Sequence, residues 1–139
     1  MKIIILCLFF TSCQRCKEDE TFKKEFLNCL QVVEKIQIEG YFLPRQEDFE
    51  CRAVSIECLA AIAGYEGYVD KSTDHHYFYQ CADSVDVDLR IWRDWYENNK
   101  CTFTIQMADS LIKKQDSNLH WPISADSLVN DDKYIYGQW

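Results

Sequence analysis

Gln46-Glu-Asp-Phe-Glu-Cys-Arg-Ala-Val-Ser-Ile-Glu-Cys-Leu-Ala-Ala-Ile-Ala63 is the stretch on which the fold turns. Phe49, Ala53, Ile56, Ala60 and Ala63 recur at helical steps on one side, and Val54, Leu59 and Ile62 widen that side. Glu47 and Asp48 place acid in the first turn, and Gly64 offers a left-handed stop. The pattern predicts a helix from Arg45 or Gln46 to Ala63. Its second half, Cys58 to Ala63, is nearly all apolar, which suits a central helix touched on several sides.

Upstream, Phe22, Phe26, Leu30, Val33 and Ile36 make one stripe, predicting a helix capped by Thr21 and ending near Gln37. Cys29 lies beside that stripe, and Gly40 and Pro44 close the helix off. Downstream, residues 64–83 hold two glycines and five aromatics, which predicts a long ordered loop or short hairpin. Asp83 or Ser84 then caps a third helix to about Asn98, with Val85, Leu89, Trp92 and Tyr96 on one line. Cys101 to Gln106 alternates and is β-branched, as a brief strand or extended arm would be. Thr104 is placed to cap a short helix from Met107 to Lys114. The expected fold is mainly α: a small three- to four-helix domain with a long aromatic-rich loop, stapled by disulfides where its cysteines meet. Residues 21–114 form the helical domain, and 115–139 read as a loosely docked or disordered tail.

The first twenty residues have a different character. Lys2 precedes an unbroken apolar run, Ile3 to Phe10, followed by Thr11-Ser12-Cys13. That is the layout of an export signal. Eight residues rise about 12 Å as a helix, against about 30 Å of hydrocarbon, so the run is too short to span a bilayer. Phe10-Thr11-Ser12-Cys13 resembles the lipobox of bacterial lipoproteins, although Phe10 stands where an aliphatic residue is usual. The Phe-rich run ending in Ser-Cys looks like lipoproteins of Bacteroidota-type bacteria. That resemblance implies a signal peptide over 1–12, acylation (palmitate included) of Cys13, and an acidic tether over 13–20. In such proteins a cluster like Lys17-Glu18-Asp19-Glu20 accompanies export to the outer surface. Asp86 to Lys100, with its W-x-x-W-Y segment Trp92 to Tyr96, resembles a helix of small lipoproteins of the same group. This second resemblance implies an all-helical domain and no activity.

Eight cysteines is a high count for 139 residues. Cys7 leaves with the signal and Cys13 is taken by lipid. Cys16, Cys29, Cys51, Cys58, Cys81 and Cys101 remain, an even six with fifteen possible connectivities in an oxidising compartment. Cys51 and Cys58 stand two helical turns apart, too far to bond each other within one helix. Spacings among the six do not match a zinc knuckle. The chain is acidic, with a net charge of −8 that becomes −9 once Lys2 is removed. Such a surface repels phosphate, which disfavours nucleic acid as a partner and favours a covalent route to a membrane.

Catalytic patterns are weak. His75 and His76, near Asp70 and Cys81, are the only metal-like cluster, and adjacent histidines on an extended chain point to opposite sides. Tyr65, Tyr68, Tyr77 and Tyr79 are candidates for a binding surface, because aromatics with a polar handle suit such faces. The chain has neither a G-x-S-x-G elbow nor a glycine-rich phosphate loop, and nothing in it calls for a cofactor. Asp86 and Asp88 read as acids in a helix's first turn, and Asp109-Ser110 and Asp126-Ser127 as capping pairs. The leading expectation is a lipid-anchored envelope protein, held in an outer membrane or cell surface through Cys13. It would act by binding a protein partner, as an immunity- or scaffold-like module. The alternatives are a freely secreted disulfide-rich protein and a metal-dependent envelope hydrolase using His75 and His76.

Overall fold

The computed structural model describes residues 16–38, 46–69 and 82–128. Among them are four α-helices and no strand: α1 (Glu20–Ile38), α2 (Gln46–Ala63), α3 (Ala82–Asn99) and α4 (Ile105–Gln115). A single 3-10 turn follows at Ala125–Leu128. The mainly helical fold expected from the sequence is the fold observed.

Helix α1 starts two residues earlier than a Thr21 cap implies, and its cap is Asp19. Asp19 Oδ1 accepts from the backbone N–H groups of Thr21 and Phe22, both at 3.0 Å. A carboxylate meets the positive end of the dipole better than a hydroxyl does, so the acid takes the cap. Helix α2 matches its expected span and stops at Gly64, whose φ of 65° reverses the chain. Its burial is wider than one stripe. Cys51, Arg52, Ser55, Ile56, Cys58, Leu59, Ala60 and Ile62 are all buried. Ser55 returns its hydroxyl to the Cys51 carbonyl at 2.8 Å, which satisfies it inside the core.

The core lies along the α1 stripe. Phe22, Phe26, Cys29, Leu30 and Val33 meet Ile56, Cys58, Leu59 and Ile62 of α2, and Val85, Leu89, Trp92 and Tyr96 of α3. Helix α3 runs antiparallel to α1: Phe22 stacks near Tyr96, whereas Arg93 reaches Glu34 three turns further along α1 at 2.8 Å. Phe26 lies nearly parallel to both Trp95 and Tyr96, with centroids 5.6 and 5.2 Å away. Offset aromatic pairs of this kind add about 0.5–1.5 kcal/mol beyond the area they bury.

The strand or extended arm expected at Cys101–Gln106 is a turn instead. The N–H groups of Thr102 and Phe103 both return to the Asn99 carbonyl, ending α3. Thr104 then caps α4, accepting from the Met107 N–H, as its position predicted. Among the described residues no neighbouring strand stands beside the β-branched stretch, so it serves turn and cap.

Residues 116–128 pack against the bundle rather than trailing from it. Leu119, Pro122 and Ala125 are buried. The segment lies in the seam between α1 and α2. Asn28 donates to the Ile123 carbonyl at 3.1 Å and accepts from the Ala125 N–H at 2.7 Å. Lys35 reaches the Ala125 carbonyl, and Cys58 and Cys51 aim their thiols at the carbonyls of His120 and Ile123. The segment therefore climbs α1 while descending α2, which fixes those two helices as antiparallel. Small and apolar residues at Pro122 and Ala125 let it lie close, a pattern too sparse to register as an element. Residues 129–139 lie outside the described residues.

Candidate functional site

Two regions gather the side chains singled out in the sequence. The first is the N-terminal junction. Cys16 and Cys101 are joined in a disulfide with Cα atoms 5.1 Å apart, closing a separation of 85 residues. The acids read as a tether are built into this junction. Glu18 pairs with Lys23 at 3.0 Å and with Lys100 at 3.5 Å, and Tyr96 donates its hydroxyl to Glu18 at 3.1 Å. Asp19, besides capping α1, accepts from the Ile105 N–H through its other oxygen at 3.1 Å. One carboxylate thus ties the starts of α1 and α4 together. Lys17 and Glu20 flank them and stay exposed.

The electrostatics follow from those contacts. Hydrogen bonding to Lys23 holds the Glu18 carboxyl below its usual range. Asp19 is lowered mainly by the Phe22 N–H, then by those of Ile105 and Thr21. Burial, reinforced by the bond to Glu18, pushes the Tyr96 phenol up. An open groove of about 450 Å³ runs between Lys17–Glu20 and Cys101–Thr104. Its walls carry no nucleophile paired with a base.

The second region is the turn after α2. Asp88, fully buried on α3, accepts from the Tyr65 hydroxyl and from the Tyr68 N–H, each at 2.8 Å. Trp92 donates its indole N–H to the Tyr65 carbonyl at 3.4 Å, and its ring meets Tyr65 edge-on. Burial, then the bond to Asp88, raises the Tyr65 phenol. Asp88 is therefore no first-turn acid. It sits six residues into α3, on the same face as Val85 and Trp92, and anchors the turn. The signal was present in its spacing: an acid at i+3 from one core residue and i−4 from another is inside. Tyr65 belongs to this packing, whereas Tyr68 keeps 63% of its surface in solvent. Asp109, read as half of a capping pair, instead accepts from the Trp121 indole at 2.8 Å and pins the C-terminal segment.

The remaining cysteines divide cleanly. Cys29, Cys51 and Cys58 are buried and stand outside any disulfide, so only two of the six candidate cysteines are disulfide-bonded among the described residues. Cys13, Tyr77, Tyr79, Cys81 and the His75–His76 pair lie outside the described residues. Among the described residues no three His, Cys, Asp or Glu side chains converge as a metal site would need. No described helix is long and apolar enough to cross a membrane. Comparison with protein families, with curated proteins and with solved structures finds no match.

Proposed function

We propose that this chain is an exported helical domain, anchored through acylated Cys13 in the cell envelope, that works by binding another protein. The observation that carries the reading is the Cys16–Cys101 disulfide, closed a few residues behind the apolar run. Disulfides persist outside the reducing cytosol, so the bond and the signal-like segment support the same destination by independent chemistry. The geometry also sharpens what an anchor would mean. Two residues lie between Cys13 and Cys16, so three Cα steps give a reach of about 11 Å at most. Since Glu18 and Asp19 are locked into the junction, the domain would sit with its disulfide end close against the bilayer rather than on a long leash. Asp88 stands eleven residues before Asn99, about 17 Å along α3. Exposed Tyr68, held by Asp88, is thereby carried clear of the surface as the candidate partner contact.

Intact-mass measurement on membrane-extracted protein tests the anchor. The expected species begins at Cys13 and carries diacylglycerol, and Cys13→Ala moves the protein to the soluble fraction. A mature chain without lipid would support the freely secreted alternative, for which the same disulfide speaks equally. A photo-crosslinking residue at position 68, compared with one at exposed Lys113, tests the binding face. A discrete adduct from position 68 alone is expected; equal labelling from both positions removes the assignment.

A further inference from the structure

Residues 119–125 lie in the α1–α2 seam without belonging to either helix, and the seam holds them by their main chain. Asn28 on α1 donates to the Ile123 carbonyl at 3.1 Å and accepts from the Ala125 N–H at 2.7 Å. A carbonyl and the N–H two residues on are the pair that one residue of a neighbouring parallel strand would bond. One side-chain amide thus stands in for a strand. Lys35 reaches the Ala125 carbonyl at 3.4 Å, and the Cys58 thiol reaches the His120 carbonyl at 3.5 Å. Side chains enter the seam at every third position: Leu119, Pro122 and Ala125 are buried, while His120, Ile123 and Ser124 are exposed. Ala125 meets Val32 of α1 and Cys51 of α2, a space that a small side chain fills. The seam is therefore a groove fitted to one extended segment, and every copy of the chain carries that segment.

The link between the segment and its own bundle is short and solvated. Helix α4 ends at Gln115, and Asp116, Ser117 and Asn118 are all exposed. Two bonds close their turn: the Asn118 N–H to Asp116 Oδ1 at 2.8 Å, and the Leu119 N–H to the Asp116 carbonyl at 3.1 Å. Water can replace both when the turn straightens. Upstream, the disulfide at Cys101 and the Asp19 bond to the Ile105 N–H fix the start of α4 to its own α1. The 116–118 hinge is thus where the chain can leave its bundle. Extended, three residues cover about 10 Å, so two bundles joined through such hinges touch near the ends of their α4 helices.

We propose that the 119–128 segment exchanges reciprocally between two copies of this chain, each lending it to the α1–α2 seam of the other. Every seam contact of the single chain is kept, including Trp121 on Asp109, and only the two hinges change. The exchange closes on itself as a two-fold dimer. Within one chain the tethered segment is present at a millimolar-range effective concentration, so the monomer predominates in dilute solution and the dimer gathers where copies are crowded. The net charge of −8 on each copy opposes that approach, so salt favours it.

Lys35 and Asp126, whose charged atoms stand 3.6 Å apart, report whose segment fills a seam. The test mixes unlabelled and heavy-isotope-labelled full chains, Cys16–Cys101 intact, at millimolar concentration in high salt. Monomer and dimer are separated by size exclusion, and a carbodiimide then joins Lys35 to Asp126 as an amide. In the dimer, roughly half of the links are expected to join a labelled to an unlabelled peptide, as random pairing of two chain types gives. In the monomer all links join like with like. Deleting Ser117 and Asn118 leaves the hinge too short to fold back and should raise the dimer fraction several-fold. Inserting Gly-Ser-Gly after Ser117 eases folding back and should lower it. A dimer whose links join only like isotopes overturns the proposal. So does a wild-type chain that stays monomeric under these conditions, whatever the deletion does.

Discussion

Gly67 sits at φ +78°, and a Cβ built there would stand 2.5 Å from Asp88 Oδ2. Gly64 has a similar φ of +65°, but nothing lies within 4 Å of its virtual Cβ. The two glycines therefore separate backbone strain from steric conflict. Gly64→Ala should cost about 1–2 kcal/mol, the left-handed penalty alone. Gly67→Ala carries the same strain and also displaces a buried carboxylate from the Tyr65 hydroxyl and the Tyr68 N–H. Hydrogen bonds to a charged group are worth about 1.5–3 kcal/mol each, so its cost should be at least twice that of Gly64→Ala. Urea unfolding of both variants measures the difference, and equal losses would mean that Asp88 does not hold the turn.

At the scale of elements, the junction of α1 and α4 depends on Asp19, and that dependence is titratable. Its folded-state pKa is depressed, chiefly by the Phe22 N–H and then by that of Ile105. A depressed carboxyl binds protons less readily folded than unfolded. Its contribution is therefore complete above the ordinary Asp value of about 4 and is lost as pH falls through the folded value. Glu18, lowered first by Lys23, acts in the same direction. The urea midpoint should fall between pH 7 and pH 3, and Asp19→Asn should reduce that fall while lowering the midpoint at pH 7. An unchanged acid limb in Asp19→Asn would place the sensitivity elsewhere. The C-terminal segment is the second junction. Asn28 satisfies one carbonyl and one N–H of a stretch that has no regular backbone pairing of its own.

For the whole molecule the disulfide sets the balance. It ties the residue four before α1 to the second residue beyond α3, across a separation of 85. Cross-linking a loop of that size restricts the unfolded chain, and removing it should cost about 2–4 kcal/mol. The double variant Cys16→Ser/Cys101→Ser, which leaves no stray thiol, should show that loss in urea while keeping its helical circular dichroism. A loss confined to a few tenths would mean that the aromatic cluster of Phe22, Phe26, Trp95, Tyr96 and Phe103 closes this end unaided. The full chain has a net charge of −8, and exposed ion pairs of the bundle, such as Arg93 with Glu34, contribute little to stability by comparison.

Much of the fold was legible because it is local. The 3.6-residue period of Phe22, Phe26, Leu30 and Val33, and of Val85, Leu89, Trp92 and Tyr96, marks the faces that are buried, and Gly64 and Thr104 mark a stop and a start. Periodicity depends only on neighbours within a turn or two, so one chain read alone reveals it. The long-range contacts were not legible. Six cysteines are interchangeable in a sequence, and only helix packing brought Cys16 to Cys101 and left Cys29 and Cys58 inside the core. An acidic run looks like a solvated tether until Lys23, Lys100 and Tyr96 arrive around Glu18 from two other places in the chain. The sequence by itself determined the helices and their buried faces, because hydrophobic period is a local property. Tertiary structure alone decided the disulfide, the roles of Glu18, Asp19 and Asp88, and the docking of residues 119–125, because each depends on groups distant in the chain meeting in space.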